Sequence, residues 1–200
     1  FHSLEFDHVS FRYPGAKHDA IKDFSFSVHS GEHIALIGVN GSGKSTILKL
    51  IMRLYSPSKG KILINGQNIQ DFNLLEYYSL FSTMFQDAQV YSFSIAENIA
   101  MSSVIDKEKM RLCMNLSGLT EVVQKFPAKE ETMLLKIVDD SGVELSGGEV
   151  QKLAFARAIY KNAPIVLLDE PTAALDAFSE RKMFDAIHSF IENRTSIVVT

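Results

Sequence analysis

Two early stretches of the chain alternate apolar and polar residues with a period of two. Residues 4–13, LEFDHVSFRY, set Leu4, Phe6 and His8 against Glu5 and Asp7, and FSFSV at 24–28 alternates cleanly. Both predict half-buried antiparallel strands. HIALIG at 33–38 is a continuous apolar run, suited to a strand covered on both faces. After a glycine-rich stretch, KSTILKLIMRLY has helical spacing at Ile47, Leu50, Ile51 and Leu54. GKILINGQNI at 60–69 predicts a short strand and an Asn65-Gly66 turn. From about Asp87 to Tyr160 helical patterns dominate; Asn162-Ala163-Pro164 ends them, and IVLLD at 165–169 restores the buried-strand signature. A further helix carries Met183, Phe184, Ile187, Phe190 and Ile191 on one face, and SIVVT at 196–200 begins another strand. The pattern predicts an α/β fold: a mixed-sheet core with an antiparallel β part and a helical insert between about residues 87 and 160.

Composition narrows the partners. The chain is 46% hydrophobic and 22% charged, ordinary for a globular protein with a sizeable core. A net charge of −4 gives no basic excess, so no nucleic-acid partner is expected. One cysteine, Cys113, excludes an internal disulfide and supplies no thiolate cluster for a metal. No apolar run approaches the ~20 residues that a membrane span requires. There is no signal peptide, and the chain opens on Phe1 inside strand-like sequence, so it reads as a piece of something longer.

The densest chemistry is in IGVNGSGKST, Ile37 to Thr46. Gly38 to Ser45 fits the phosphate-loop spacing G-x-x-x-x-G-K-[ST], with a strand before it and a helix after. Gly38, Gly41 and Gly43, with Asn40 and Ser42 between them, let backbone N–H groups curl around phosphate oxygens at a helix N-terminus. Lys44 reaches the β- and γ-phosphates, and Ser45 offers a hydroxyl to Mg²⁺, which keeps most of its waters; Thr46 closes the stretch. The companion is IVLLDE, Ile165 to Glu170, a buried strand ending in two acids. Asp169 is expected to hold the metal through water, and Glu170 to orient or deprotonate an attacking water. Together the motifs imply a nucleoside-triphosphate hydrolase. The absence of an [NT]-K-x-D guanine reader favours ATP.

ELSGGEVQKLAFARAIY narrows the class. Ser146-Gly147-Gly148 stands before a helix with Val150, Leu153, Ala154 and Ala158 on one side, which makes a second anion-binding helix end. One phosphate loop has no use for a second γ-phosphate contact unless two copies meet head to tail, each capping the other's nucleotide.

Here the sequence resembles the ATPase domains of ABC proteins. LSGGE at 145–149 (Leu145, Ser146, Gly147, Gly148, Glu149) is similar to their signature, usually LSGGQ. The resemblance covers almost the whole chain. It implies a P-loop NTPase of ABC type: residues 1–86 and 162–200 as the ATP-binding core with its antiparallel β subdomain, and 87–161 as the helical signature subdomain. It implies ATP and Mg²⁺ as cofactors. Gln86, in MFQDAQVY, matches a glutamine that touches metal or water and senses a membrane partner; an ordinary loop amide is the alternative. Tyr13, in FRYPG, matches an aromatic that stacks on adenine, or else packs on the sheet. Asp176, in ALD at 174–176, matches an interface aspartate, and a helix N-cap is compatible with that. The histidines show no metal-ligand spacing. Two departures stand out. Glu149 replaces glutamine and adds negative charge near the partner's triphosphate, and the family's switch histidine is due just past Thr200.

YSFSIAENIA at 91–100 and IVDDSGVELSGG resemble segments of exporters whose ATPase is fused behind a membrane domain. The resemblance therefore implies the nucleotide-binding domain of an ABC exporter half-transporter at the cytoplasmic face of the cell membrane. Its partners would be a second ABC ATPase domain, identical or different, and a transmembrane domain absent from this chain. The alternatives are a soluble non-transport ABC ATPase, an importer's ATPase subunit, and a degenerate scaffold. A repair-type protein needs a long coiled-coil arm for which the interval from Lys44 to Ser146 leaves no room. SIAENI speaks against an importer, and intact Lys44, Asp169 and Glu170 speak against a scaffold.

Overall fold

Strand β1 (Ser3–Phe11) pairs antiparallel with β2 (Ile21–His29), with Leu4 opposite Val28 and Phe6 opposite Phe26. It also pairs with β4 (Lys59–Ile64), with Leu4 opposite Ile64 and Phe6 opposite Ile62. β5 (Gln67–Asn68) completes the order β2-β1-β4-β5. In this computed structural model residues 1–200 are described except Asn40, Val138 and Asp139. The expected strands form, but His8 does not join the buried set. A bulge between Phe6 and Val9 shifts the inward residues from Leu4 and Phe6 to Val9 and Phe11. His8 takes a φ of 50° at the bulge and turns its ring to the Asp23 carboxylate, 2.8 Å away at the surface. The Asn65-Gly66 turn forms as expected, with φ of 52° and 79° at its two residues.

A second sheet has the order β3-β8-β7-β6, from β3 (His33–Leu36), β8 (Thr195–Val199), β7 (Ile165–Asp169) and β6 (Phe81–Met84). β8 runs parallel to both β3 and β7. All five residues of β7 are buried, as the apolar run predicts. The same prediction fails for β3, where His33 and Ala35 are exposed and the following Ile37 is 81% exposed. Among the described residues β3 ends the strand order, and a strand at the end of an order has a neighbour on one side only.

Helix α1 (Lys44–Ile51) buries Thr46, Ile47, Leu48, Leu50 and Ile51. It stops one turn earlier than the spacing suggests, because Arg53 takes a φ of 54°; Leu54 lies beyond the helix and is exposed. Arg53 donates to the Phe72 carbonyl at 3.0 Å and lies 5.4 Å from the Tyr77 ring centroid. Tyr77, fully buried on α2 (Leu74–Ser79), donates its hydroxyl to the Ile51 carbonyl.

Apart from residues 82–84 of β6, these elements belong to one compact unit, residues 1–81, 163–169 and 193–200; residues 82–162 and 170–192 form another. The second unit holds α3 (Ile95–Ala100), α4 (Lys107–Leu116), α5 (Thr120–Val123), α6 (Gly147–Lys161) and α7 (Ala177–Ile191). Ile95, Ile99, Met110, Met114, Leu119, Leu134, Leu153 and Ala156 are among the residues of its core. Burial pushes the Cys113 thiol up to about 11, so it packs as an apolar group. On α7, Met183, Ile187 and Phe190 are buried and Phe190 meets Phe155 edge-on at 5.8 Å. Phe184, expected on that face, is 47% exposed, since one residue is about 100° around the helix from Met183. Among the described residues no helix is long and apolar enough to cross a membrane.

Candidate active site

In the first unit the glycine loop delivers the chain to α1 through Gly43, whose φ is 95°. A Cβ there would lie 2.7 Å from the Ala20 carbonyl oxygen, so both conformation and space require glycine. Gly43 offers no side-chain cap, and the first turn of α1 holds no acid. A helix start without a cap or acid of its own favours an anion. Lys44 curls back and donates to the carbonyls of Gly38 at 2.6 Å and Val39 at 3.4 Å. Gly38, Gly41 and Ser42 line the exposed loop between β3 and α1; Asn40 lies outside the described residues.

The two residues expected to serve a metal lie together: the Ser45 hydroxyl donates to Asp169 Oδ1 at 3.0 Å. Asp169, at the end of β7, is only 4% exposed. Two oxygen donors side by side suit a hard cation that completes its shell with water and phosphate. No group of three or more His, Cys, Asp or Glu residues able to hold a metal occurs among the described residues, so no all-protein cage competes with that arrangement. Tyr13 hydrogen-bonds through its hydroxyl to Thr46 Oγ1 at 3.0 Å. Its ring meets Phe11 and Tyr55 edge-on, with centroids 4.9 and 5.1 Å away. Tyr13 thus packs in an aromatic cluster and is tethered to the first turn of α1.

In the second unit Gln86 Nε2 donates to Glu170 Oε2 at 3.0 Å. Glu170 has a φ of 47°, a left-handed conformation that non-glycine residues rarely adopt. Such strain persists only where the surroundings hold it, and it clusters at reacting sites.

The signature stretch begins α6. Ser146 is its N-cap and forms a reciprocal box with Glu149. The Ser146 hydroxyl accepts from the Glu149 N–H at 3.4 Å and donates to Glu149 Oε2 at 3.0 Å; the Ser146 N–H donates to the same oxygen at 3.0 Å. Lys125 Nζ pairs with Glu149 Oε1 at 3.3 Å. Burial pushes the Glu149 carboxyl up, but the Ser146 N–H, the Ser146 hydroxyl and Lys125 together hold it below the usual carboxylate range. This end of α6 was expected to be open to an anion; a carboxylate of its own already occupies it. Gly148 is tightly placed: a Cβ would be 3.1 Å from Leu175 Cδ2 and 3.3 Å from the Ala174 carbonyl oxygen. Gly147 leaves ordinary room, 3.5 Å to Ala174 Cβ. Leu145 packs against the helical core. Asp176 is the N-cap of α7, accepting from the Phe178 and Ser179 N–H groups at 3.0 Å each. Hydrogen bonds from Ser179, its hydroxyl first, hold the Asp176 carboxyl below its usual range. Of the exporter-like stretch IVDDSGVELSGG, Val138 and Asp139 lie outside the described residues.

Sequence reasoning passed over Asn98, Arg157 and Lys125. The visible signal for Arg157 was a lone charge inside the apolar stretch LAFARAIY; Lys125 gives none, since its partner is 24 positions away in the chain.

The profile described as ABC transporter matches residues 21–173. Curated relatives include the ATP-dependent lipid A-core flippases of Ralstonia nicotianae, 37% identical over 200 residues, and of Cupriavidus metallidurans, 39% identical over 200 residues. Each alignment takes in 98% of this chain and 33% of the relative, so the chain spans about a third of their length. Among solved structures, a bacterial Atm1-family ABC exporter with ATP bound aligns over 100% of this chain and 34% of its own, with a TM-score of 0.89 and 30% identity.

Proposed function

Because the chain belongs to the ABC transporter family, as an ATPase domain of P-loop NTPase fold, we propose that it drives a membrane exporter by closing head to tail with a second such domain on ATP. In this reading the triphosphate lies along Gly38, Asn40, Gly41, Ser42, Gly43, Lys44, Ser45 and Thr46, with adenine against Tyr13. Lys44 exchanges the Gly38 carbonyl for phosphate oxygens, a lysine acting as a point charge. Ser45 and Asp169, side by side, would hold Mg²⁺, with Gln86 the further oxygen ligand that the family resemblance implies; when bound, the ion would neutralise charge on the β- and γ-phosphates. Leu145, Ser146, Gly147, Gly148, Glu149 and Asp176 of one domain face the nucleotide of the other. Residues 1–86 and 162–200 serve as the ATP-binding core and 87–161 as the signature subdomain.

The observation that carries the hydrolytic role is the Gln86–Glu170 hydrogen bond of 3.0 Å. It ties up one carboxylate oxygen of Glu170 and leaves the other to take a hydrogen from the attacking water. ATP favours the closed pair over the open one, and that difference in affinity is the work available to a membrane domain. The membrane domain's cytoplasmic segment is the occupant that we assign to a groove of ≈ 700 Å³ in the second unit. Phe85, Asp87, Tyr91, Met101 and Lys109 are among its lining, and the first two flank Gln86 in the chain. In this reading the domain lies at the cytoplasmic face of the membrane.

The test is Glu170→Gln in the full-length protein. ATP still binds, hydrolysis falls by about 10²–10⁴-fold, and a closed dimer accumulates. Wild-type turnover in that variant overturns the assignment of Glu170, and retained turnover with no dimer at any ATP concentration overturns the head-to-tail arrangement.

A further inference from the structure

Arg157 lies in the middle of α6, on a stretch where Leu153, Ala154, Phe155, Ala156, Ala158 and Ile159 are all buried. Its guanidinium is spent on α3 and on the loop that leads to α3 from Gln86. Nε donates to the Asn98 carbonyl at 2.6 Å, Nη2 to Asn98 Oδ1 at 2.7 Å, and Nη1 to the Gln89 carbonyl at 2.5 Å. The same group lies 5.4 Å from the Tyr91 ring centroid. Asn98 is wholly buried and extends the network. Its amide donates to the carbonyls of Tyr91 at 2.9 Å, Phe93 at 3.2 Å and Ser94 at 3.0 Å, and its Oδ1 accepts the Tyr91 N–H at 3.0 Å. Two side chains therefore hold the backbone of the segment from Gln89 to Ser94 at five groups. Charge-assisted bonds in a fixed fork are the strong and directional kind.

The fixed segment begins three residues after Gln86, whose amide holds the Glu170 carboxylate at 3.0 Å. We infer that Arg157 and Asn98 are positioning residues for ATP hydrolysis: by clamping Gln89 and Tyr91 to α6, they fix where Gln86 holds Glu170. The inference rests on the reading of Gln86 and Glu170 given above. It makes α6 a shared frame. The helix that starts at Ser146 also carries, about 16 Å further along at 1.5 Å per residue, the group that sets the hydrolytic pair. A purely architectural arginine would instead stabilise the second unit without touching turnover per folded molecule.

The two roles separate in a double-mutant cycle on the full-length protein. Arg157→Lys keeps the charge and loses the fork. Expected is a fall in kcat of about ten-fold, as for residues that orient a reacting group, with KM for ATP within about two-fold, since the phosphate loop is untouched. In a Gln86→Ala background the same substitution is expected to cost less than about two-fold, because the group it positions is gone. A full ten-fold cost in that background overturns the inference and leaves the roles of Gln86 and Glu170 standing. A lowered Tm with unchanged kcat also overturns it, as does a loss confined to KM. If Gln86→Ala alone leaves kcat unchanged, the role of Gln86 falls and the inference falls with it. Should Arg157→Lys fail to fold by circular dichroism, Asn98→Asp carries the same cycle. It matches the size of Asn98, keeps the acceptor for Arg157 and removes the amide donor shared by the carbonyls of Tyr91, Phe93 and Ser94.

Discussion

The N-termini of α1 and α6 are both turns of glycine and serine, and they are finished in opposite ways. At α1 the N-cap is Gly43, with no side-chain cap and no acid in the first turn. At α6 the N-cap is Ser146, closed by Glu149 in a reciprocal box. The first end keeps its donors and its positive field for an outside anion. The second spends both on its own carboxylate, itself paired with Lys125. The hydroxyl hydrogen of Ser146 is committed to Glu149, and an ionised phosphate brings only acceptors, so a nucleotide that reaches Ser146 has to displace a bond already made. The same local motif thus leaves a helix end uncapped in one unit and closed by its own carboxylate in the other.

The largest break in this comparison is Gly43→Ala. A left-handed φ of 95° and a Cβ 2.7 Å from the Ala20 carbonyl oxygen combine strain with overlap. Together they cost about 3 kcal/mol, roughly a hundred-fold in ATP affinity by nucleotide titration. Wild-type affinity would mean that the bare helix end is not the phosphate site. Next is Ser146→Ala, which removes the cap of α6 and is expected to lower stability by about 1 kcal/mol in chemical denaturation. It also raises KM for ATP if that hydroxyl meets the partner's nucleotide, whereas an unchanged KM confines Ser146 to capping. Smallest is Glu149→Gln, which removes the guarding charge. KM for ATP is expected to fall by about two- to three-fold at low ionic strength, with the gain fading as salt rises. A KM that rises instead would mean that the carboxylate helps the site.

Glu149 also sets a pH signature. Its folded-state pKa lies below the ordinary 4.5, so its contribution to stability is complete above that value and is lost as pH falls through the depressed one. Acid unfolding curves of Glu149→Gln should lack that part of the loss.

The chemistry of the phosphate loop was legible because it is local. Gly38 to Ser45 is one short segment whose strand, turn and helix lie on either side of it, and the partnership of Ser45 with Asp169 could be inferred because each ends or begins a strongly patterned element. The capping box was legible in principle, since serine followed by an acid three residues on is a known helix start. Its consequence was not, because attention to bare backbone hid the side chain beside it. Positions that failed depended on distant geometry. His8 left the core because a bulge shifted the phase of β1, and Phe184 stayed at the surface because α7 buries a narrower stripe than its apolar residues would fill.

The sequence by itself determined the fold family, the order of elements and the place of the phosphate-loop pattern, since loop spacing and hydrophobic period act over a few residues at a time. Tertiary structure decided which of those residues hold one another: Gln86 on Glu170, Lys125 on Glu149, Arg157 and Asn98 on the segment between. The pairs Gln86–Glu170, Lys125–Glu149 and Arg157–Gln89 join residues 84, 24 and 68 positions apart, and only packing brings such residues within hydrogen-bond reach.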